Sequence, residues 1–304
     1  MFHSPKAEDL LHYAAFYGLR RNKTSDSAPL KSFLWKDYFH ARAALICREG
    51  KEIGLVWLYE ENGEPFASMP YCTEADLPCC FERIQKYFNE VLQKPLLIQL
   101  ADEEAVTALR LQPEHYLIRE DEEARDYLYD AEALRTLAGK KLHKKKNHCN
   151  SFERTFQGRY EYRSLTPQYR DQIFRFLDFW REKKGVEVEE HLDPEVEGIH
   201  KILKNLETLR RIRMGAVFID GNLEAFSMAC YNSLENMAII HIEKANPEIN
   251  GLYQMINREV LRHEFPEAAL VNREDDMGLE GLRRSKLSYY PVGYARKYRV
   301  QQKL

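Results

Sequence analysis

Residue types that can move protons and hold anions are concentrated near the C-terminus, between residues 272 and 291. Arg273, Glu274 and Asp275 follow one another there, directly after Asn272, which is itself a candidate substrate contact. The Arg273 guanidinium can hold a carboxylate or a phosphate through two parallel hydrogen bonds. The neighbouring carboxylates can bind an ammonium group or accept a proton from an attacking amine. This segment is therefore the first candidate for a working site.

A structural role competes for part of the same segment. Asp276 is expected to cap a helix that begins near Gly278, because aspartate is favoured at the N-cap. Arg283 and Arg284 would then be surface partners on that helix. Arg283 and Lys286 also lie three residues apart on one helix face, which suits an anionic donor molecule. Capping accounts for Asp276 but explains the charged residues before it less well.

A second candidate pair lies on a predicted strand further upstream. His241 and Glu243 alternate along this strand, so both side chains should point to the same sheet face. Either group could take the proton from an amine that attacks a carbonyl, if both line a cleft. Polar residues are also frequent on a solvated sheet face, and this alternative stays open.

Residues 140–156 form a predicted amphipathic helix with one apolar face and a strongly basic remainder. The basic residues are Lys140, Lys141, Lys144, Lys145 and Lys146. Such a stripe suits a tRNA backbone or phospholipid head groups, because neutralised phosphates release their counterions. A solvated linker helix that pairs with the acids between residues 120 and 132 is the alternative.

Hydrophobic periodicity predicts two copies of one element order, strand-strand-strand-helix-strand. The first copy has strands at 43–47, 53–59, 66–69 and 96–100 and a helix at 78–92. The second has strands at 215–219, 223–231, 237–243 and 269–272 and a helix at 251–263. Turn residues keep step, since Gly50 and Gly221 are 171 apart and Asn62 and Glu235 are 173 apart. This spacing indicates a tandem duplication. Two further helices, starting at 166 and 193, precede the second copy, and the first should end at Gly185.

This element order resembles the Gcn5-related N-acetyltransferase fold. Three segments, 139–148 (GKKLHKKKNH), 272–286 (NREDDMGLEGLRRSK) and 288–291 (SYYP), resemble an uncharacterised bacterial family. That family is related to the C-terminal domain of phosphatidylglycerol lysyltransferases. The resemblance implies an α/β chain with two acyltransferase-like domains, 1–136 and 137–304, each a mixed, mostly antiparallel sheet flanked by helices. Relatives of this type take an amino acid from aminoacyl-tRNA.

The resemblance also implies roles for individual residues. Coenzyme A-dependent members of the superfold bind pyrophosphate at a loop before a helix, which here points to Asn250 and Gly251. The alternative makes Asn250 an ordinary N-cap. A tyrosine protonates the leaving group in many acyltransferases of this superfold, and Tyr289 is placed to do so. An aromatic packing role for Tyr289 is the alternative.

The remaining composition excludes several other classes. A net charge of −3 is not typical of a general polyanion binder. The N-terminus has no signal core, and no apolar run reaches the roughly 18 residues of a membrane-spanning helix. The six cysteines lack a zinc-binding spacing, and GxSxG, HExxH and P-loop motifs are absent. We therefore expect a cytoplasmic protein without a metal or a tightly bound cofactor.

The leading function hypothesis is an acyl or aminoacyl transferase. It would move an acyl group from aminoacyl-tRNA or acyl-CoA to an amine or a hydroxyl group, in a cleft to which the second domain contributes and which the first domain supports. The alternative is a non-catalytic protein that binds tRNA, an amino acid or a charged lipid head group through the same clusters.

Overall fold

The computed structural model describes residues 1–184, 192–209 and 211–303. The chain divides into two compact units. The first comprises Met1–Asp126, Asp275–Gly278 and Tyr294–Leu304, and the second comprises Tyr127–Glu274 and Leu279–Gly293. Gly185, the predicted end of a helix, lies outside the described residues. No helix in the described ranges has the length and apolarity needed to cross a membrane.

Both units contain helices and strands. The helices are α1 (Asp9–Tyr17), α2 (Pro29–Leu34), α3 (Leu77–Tyr87), α4 (Glu103–Leu109), α5 (Ala131–Thr136), α6 (Gly139–Thr155), α7 (Arg170–Lys184), α8 (Leu192–Lys204), α9 (Leu252–His263) and α10 (Glu280–Leu287). The strands are β1 (Arg42–Arg48), β2 (Lys51–Glu61), β3 (Glu64–Ala67), β4 (Tyr71–Cys72), β5 (Leu97–Asp102), β6 (Tyr116–Glu120), β7 (Asp126–Asp130), β8 (Tyr160–Ser164), β9 (Arg213–Ile219), β10 (Asn222–Asn232), β11 (Met237–Ala245), β12 (Leu270–Asn272), β13 (Gly293–Ala295) and β14 (Lys297–Gln302). The predicted strand-strand-strand-helix-strand order is confirmed in both copies.

The sheet of the first unit has the strand order β1-β2-β3-β5-β14-β6, and β4 pairs with β2. Its pairs are antiparallel except for β3 and β5, which are parallel. The apolar stripe of α3, which includes Leu77, Phe81 and Ile84, packs into the core of this sheet. The C-terminal strand β14 enters between β5 and β6 and buries Val300 completely.

The sheet of the second unit runs β7-β12-β11-β10-β9-β8. The β11 and β12 strands are parallel, whereas β10 and β11 are antiparallel. Helix α9 packs against β9, β10 and β11 through an apolar face that includes Met255, Ile256 and Val260. Three polar residues of the same helix, Asn257, Arg258 and Glu259, are also buried. The Asn257 amide reaches Glu243 of β11.

Two irregularities open this sheet near the end of β11. Met228 pairs with Ile242 but Ala229 pairs with Ile240, so His241 is the extra residue of a β-bulge. The pairing of β11 with β12 ends at Ile239 and Asn272, although β11 continues to Ala245. The two strands therefore separate beyond this point, and residues after the pair can direct side chains into the opening.

Candidate functional site

Glu243 lies on β11, four residues beyond its last pair with β12. Its Oε1 accepts a hydrogen bond from Arg273 Nη2 at 3.0 Å, and its Oε2 accepts one from Asn257 Nδ2 at 2.9 Å. The Glu243 and Arg273 side chains are only 10% and 14% exposed, so the ion pair is largely removed from water. A buried pair of this kind holds a fixed geometry, because separating the partners would leave a buried charge without its counter-charge.

Several buried polar atoms around Glu243 have no hydrogen-bond partner among the described residues. They are Ser227 Oγ, Asn257 Oδ1 and Arg273 Nη1. Ser227 is the cross-strand partner of Glu243, while Asn257 and Arg273 are the two donors to its carboxylate. Unsatisfied buried polar atoms are rare in folded proteins, and a group of them around one carboxylate is typical of a ligand site.

Tyr289 receives two cations on its ring. The Arg273 guanidinium carbon is 4.7 Å from the ring centroid, and Lys145 Nζ is 4.2 Å from it. Burial raises the pKa of Tyr289 to about 12, so its hydroxyl stays protonated at neutral pH. Burial, together with the nearby Arg273 charge, lowers the pKa of Lys145. Two cationic side chains and the phenol of Tyr289 thus lie close together.

His241 contacts Glu274, the residue that follows Arg273. Its Nδ1 is 2.7 Å from Glu274 Oε1, and its side chain is fully buried. Burial lowers the pKa of His241, but the Cys230 and Glu274 side chains more than offset this and raise it to about 9. The imidazole is therefore a cation at neutral pH, and its charge keeps the Glu274 carboxylate in place.

The His241 contact predicts a pH dependence of stability. The pKa of His241 is higher in the folded protein, about 9, than its ordinary value of 6.5. Its contribution to the free energy of unfolding is therefore complete below pH 6.5 and is lost as the pH rises through 9. Two and a half pKa units correspond to about 3 kcal/mol. Urea unfolding of wild type at pH 6 and pH 9 should show this loss, and His241→Gln should not.

The exposed His143 provides the control, because His143→Gln should behave like wild type. An equal loss in His241→Gln would contradict the assignment.

The backbone that presents Arg273 and Glu274 is fixed by its neighbours. Asn272 Oδ1 accepts the N–H of Glu274 at 2.7 Å, and Glu274 has a left-handed φ of 60°. The buried Lys286 donates its ammonium group to the carbonyls of Arg273 and Glu274. Asn272 and Lys286 therefore shape the segment, whereas the sequence suggested both as substrate contacts. Arg283, on the same helix, is partly buried.

Asp275 belongs to a different side-chain cluster from Glu274. Its Oδ2 is 3.8 Å from Lys31 Nζ and 3.8 Å from Lys297 Nζ in the first unit. Lys297 is completely buried and also pairs with the buried Asp126 at 2.7 Å. The sequence-based hypothesis grouped Asp275 with Glu274 as proton acceptors. The structure makes Asp275 an ion-pair partner of lysines.

Two predicted helix caps are wrong. The N-cap of α10 is Leu279, and Asp276 instead accepts the N–H of Gly278 at 3.0 Å in a turn before the helix. The N-cap of α9 is Gly251 rather than Asn250. Gly251 has a φ of 84°, and a Cβ there would lie 2.5 Å from the His148 carbonyl oxygen. The α6 backbone therefore approaches the start of α9 closely, and Asn250 lies beside the His148 ring at 3.1 Å.

The basic helix predicted from sequence is confirmed as α6, but its lysines are not equivalent. Lys140, Lys141, Lys144 and Lys146 are exposed. Lys145 is half-buried and turns toward Tyr289. The sequence contained no signal that separates Lys145 from its neighbours. Asn257 was missed as well, because it stands next to Arg258 and Glu259 and gives no separate signal in the sequence.

No group of three or more His, Cys, Asp or Glu within the described ranges is arranged to hold a metal ion. The family model for the C-terminal region of phosphatidylglycerol lysyltransferase matches residues 27–301. The chain belongs to this family. Its members are aminoacyl and acyl transferases, and the predicted tandem acyltransferase-like fold is confirmed.

The chain is similar to several other proteins in sequence and in structure. An uncharacterised protein of Mycoplasmoides gallisepticum, MYCGA3080, is 27% identical over 184 residues, 59% of this chain. The match spans 57% of that relative's length. A protein of unknown function from Bacteroides thetaiotaomicron VPI-5482 has a similar structure, with a TM-score of 0.90 and 26% identity over 99% of both chains. L-PGS from Bacillus licheniformis, at 14% identity, has a TM-score of 0.72 over 99% of this chain and 93% of its own, which shows a shared fold.

Proposed function

We propose that the second unit transfers an aminoacyl group from aminoacyl-tRNA to an amine or a hydroxyl acceptor. The observation that carries this proposal is the pair of unused cationic donors beside Tyr289. Arg273 Nη1 has no acceptor, and Lys145 Nζ makes neither a hydrogen bond nor an ion pair with the residues that the structure describes. Both are partly withdrawn from water, which strengthens their interaction with a negative charge.

Acyl transfer produces the charge that these donors would stabilise. Attack on the ester carbonyl converts its oxygen into an oxyanion, and donors held in place before the reaction lower the barrier to that state. Arg273 is fixed by Glu243 on one side of its guanidinium and leaves the other nitrogen available. Lys145 supplies a second positive charge from α6. Glu243 and Asn257 would thus act by orienting Arg273.

Two further groups would handle the protons. Glu274, held by His241, would accept the proton of the attacking amine or hydroxyl group. Tyr289 would donate its proton to the ribose oxygen that leaves, since burial keeps the phenol protonated. The proton that the acceptor loses and the proton that the leaving group gains would then be carried by different residues. Proton exchange with solvent after each turnover would return Glu274 to its carboxylate form and Tyr289 to its phenol form.

A tRNA ester fits the surroundings better than acyl-CoA. The exposed lysines of α6 would contact phosphates of a nucleic acid on the same helix that supplies Lys145 to the cleft. The pyrophosphate of coenzyme A would need open backbone N–H groups at the start of α9. There the α6 backbone lies against Gly251, which leaves little room for a pyrophosphate.

Calorimetric titration of the full chain would test the donor. Bulk aminoacyl-tRNA is expected to bind more tightly than the same tRNA after mild deacylation, and acetyl-CoA is expected to bind weakly. Equal binding of charged and uncharged tRNA would favour the non-catalytic alternative. Tight binding of acetyl-CoA alone would mean that the donor is acyl-CoA, and acyl transfer would remain the proposed reaction.

Lys145 and Lys144 provide a matched pair for the second prediction. Lys145→Gln should lower the rate of transfer at saturating donor about tenfold or more, because a cation is lost beside the oxyanion. Lys144→Gln should leave that rate unchanged and weaken only tRNA binding, with a smaller salt dependence. Single-turnover rates and binding at two salt concentrations separate these effects. Similar rates for the two variants would remove Lys145 from the cleft chemistry.

A further inference from the structure

The first unit contains a cavity of about 220 Å³ beside the point where β3 and β5 stop pairing. The parallel strands β3 and β5 pair only at Ala67 and Ile98, just as β11 and β12 stop pairing at Ile239 and Asn272. The cavity is lined by residues that follow this pair on both strands. Each unit therefore has an opening at the same place in the duplicated fold.

The strand register identifies equivalent residues in the two openings. Leu58 pairs with Ala67 but Leu55 pairs with Tyr71, so one extra residue lies between Ala67 and Tyr71, as in the β-bulge of β11. Leu100 has a left-handed φ of 56° two residues after Ile98, as Glu274 has one of 60° two residues after Asn272. The two openings thus share their backbone irregularities.

The side chains at these positions differ in a consistent way. The counterparts in the first unit are Met69 for His241, Tyr71 for Glu243, Gln99 for Arg273 and Leu100 for Glu274. All four first-unit residues line the cavity. At these four positions, each charged or titrating group of the second unit is replaced by a side chain that is neutral at physiological pH. The first-unit opening therefore keeps the space of a substrate site without its proton chemistry.

Rings and carboxylates dominate the rest of the cavity wall. The aromatic residues are Trp35, Phe39, Tyr59, Phe66 and Tyr71. The charged residues are Asp26, Lys31, Glu61 and Asp102, with three acids against one base. Aromatic faces attract cations, and wall carboxylates favour the same charge where no cation of the protein already neutralises them. A cavity of about 150 Å³ already holds benzene, so this one has room for a ring or a short apolar chain.

The carboxylates of the cavity wall differ in how far protein cations already pair with them. Both Asp102 oxygens are engaged by Arg20. Asp26 Oδ2 is 3.2 Å from Lys297 Nζ and 4.0 Å from Lys31 Nζ, but it receives no well-aligned hydrogen bond. Glu61 is exposed and forms no ion pair with the residues described. Glu61 is thus the carboxylate most available to a cationic group.

We infer that this first-unit cavity is a non-catalytic binding site for a small organic ammonium ion with an apolar body. The apolar part would lie against the rings, and the ammonium group would face Glu61 and Asp26. This site is separate from the proposed transfer cleft, and its occupancy does not depend on which acyl group the second unit moves.

Calorimetric titration of the full chain with three matched probes tests this inference. The probes are 2-phenylethylammonium, 2-phenylethanol and 3-phenylpropanoate, which share a ring and differ in charge. The ammonium probe should bind at least tenfold more tightly than the alcohol, and the carboxylate probe should bind weakest. Failure of all three to bind, or equal binding of all three, would overturn the inference.

Two variants locate the binding. Glu61→Gln should reduce the preference for the ammonium probe severalfold, whereas Glu60→Gln, on the neighbouring position of β2 and outside the cavity lining, should not. Gln99→Trp should fill the cavity and abolish binding of the ammonium probe, with thermal unfolding as the check that the variant folds. Unchanged binding in both Glu61→Gln and folded Gln99→Trp would place the ligand elsewhere and contradict the assignment.

Discussion

Arg273→Lys is expected to slow aminoacyl transfer by about 10²-fold to 10³-fold, the usual cost of removing one donor from an oxyanion site. A lysine can still neutralise Glu243, but it cannot hold Glu243 and present a second nitrogen to the oxyanion in a fixed plane. Such a loss corresponds to about 3 to 4 kcal/mol of transition-state stabilisation. Single-turnover rates with bulk aminoacyl-tRNA would measure it.

Arg284→Lys is the matched control for this substitution. Arg284 is 77% exposed on α10, and within the described part of the chain it pairs with the exposed Glu280 alone. Its replacement should leave the rate within twofold of wild type. Because Arg273→Lys retains the charge beside the buried Glu243, its unfolding midpoint should stay close to that of wild type. A slow variant that is also strongly destabilised would indicate a folding defect, and a variant with wild-type rate would rule out the oxyanion role.

Tyr289→Phe is expected to lower the rate of transfer from tRNA by about 10²-fold or more, the typical effect of removing a general acid. The ribose oxygen needs a proton as it leaves, and the phenol of Tyr289 is protonated because burial raises its pKa to about 12. Ionisation of Tyr289 should therefore not reduce the wild-type rate of transfer between pH 6 and pH 9.

An artificial donor separates proton donation by Tyr289 from packing. A thioester of the same amino acid releases a thiolate, which needs little protonation. Tyr289→Phe should therefore be much less impaired with the thioester than with the tRNA ester. A purely structural role for the ring would impair both donors equally. Phenylalanine preserves the ring that contacts Arg273 and Lys145, so the comparison isolates the hydroxyl group.

Local sequence patterns were sufficient for the duplicated core. Each strand and helix of the two copies carries its own period of apolar residues, and turn residues such as Gly50 and Gly221 mark the boundaries. The insertion of β14 between β5 and β6 could not be read in this way. Its residues pair with partners about 180 to 200 positions away in the sequence, and no local periodicity encodes such a pairing.

The candidate site was only partly predictable for a related reason. Arg273 and Glu274 were found because charge directly after a strand is conspicuous. Glu243 was found because it alternates with His241 along a strand, and Tyr289 was found through the family resemblance. Asp275 was grouped with Glu274 because the two are adjacent, but Glu274 has a left-handed conformation, and Asp275 joins other ion pairs. Lys145 was hidden among four other lysines, since only packing against Tyr289 distinguishes it.

The most direct measurement is a single-turnover transfer assay with labelled bulk aminoacyl-tRNA, the full chain and a mixture of lipid, peptide and small-amine acceptors. We expect wild type to move the label from tRNA to one acceptor fraction, and Arg273→Lys and Tyr289→Phe to bind the tRNA normally but transfer the label at least tenfold more slowly. Label that stays on the tRNA in the presence of wild type, despite tight binding, would contradict group transfer and favour a binding function.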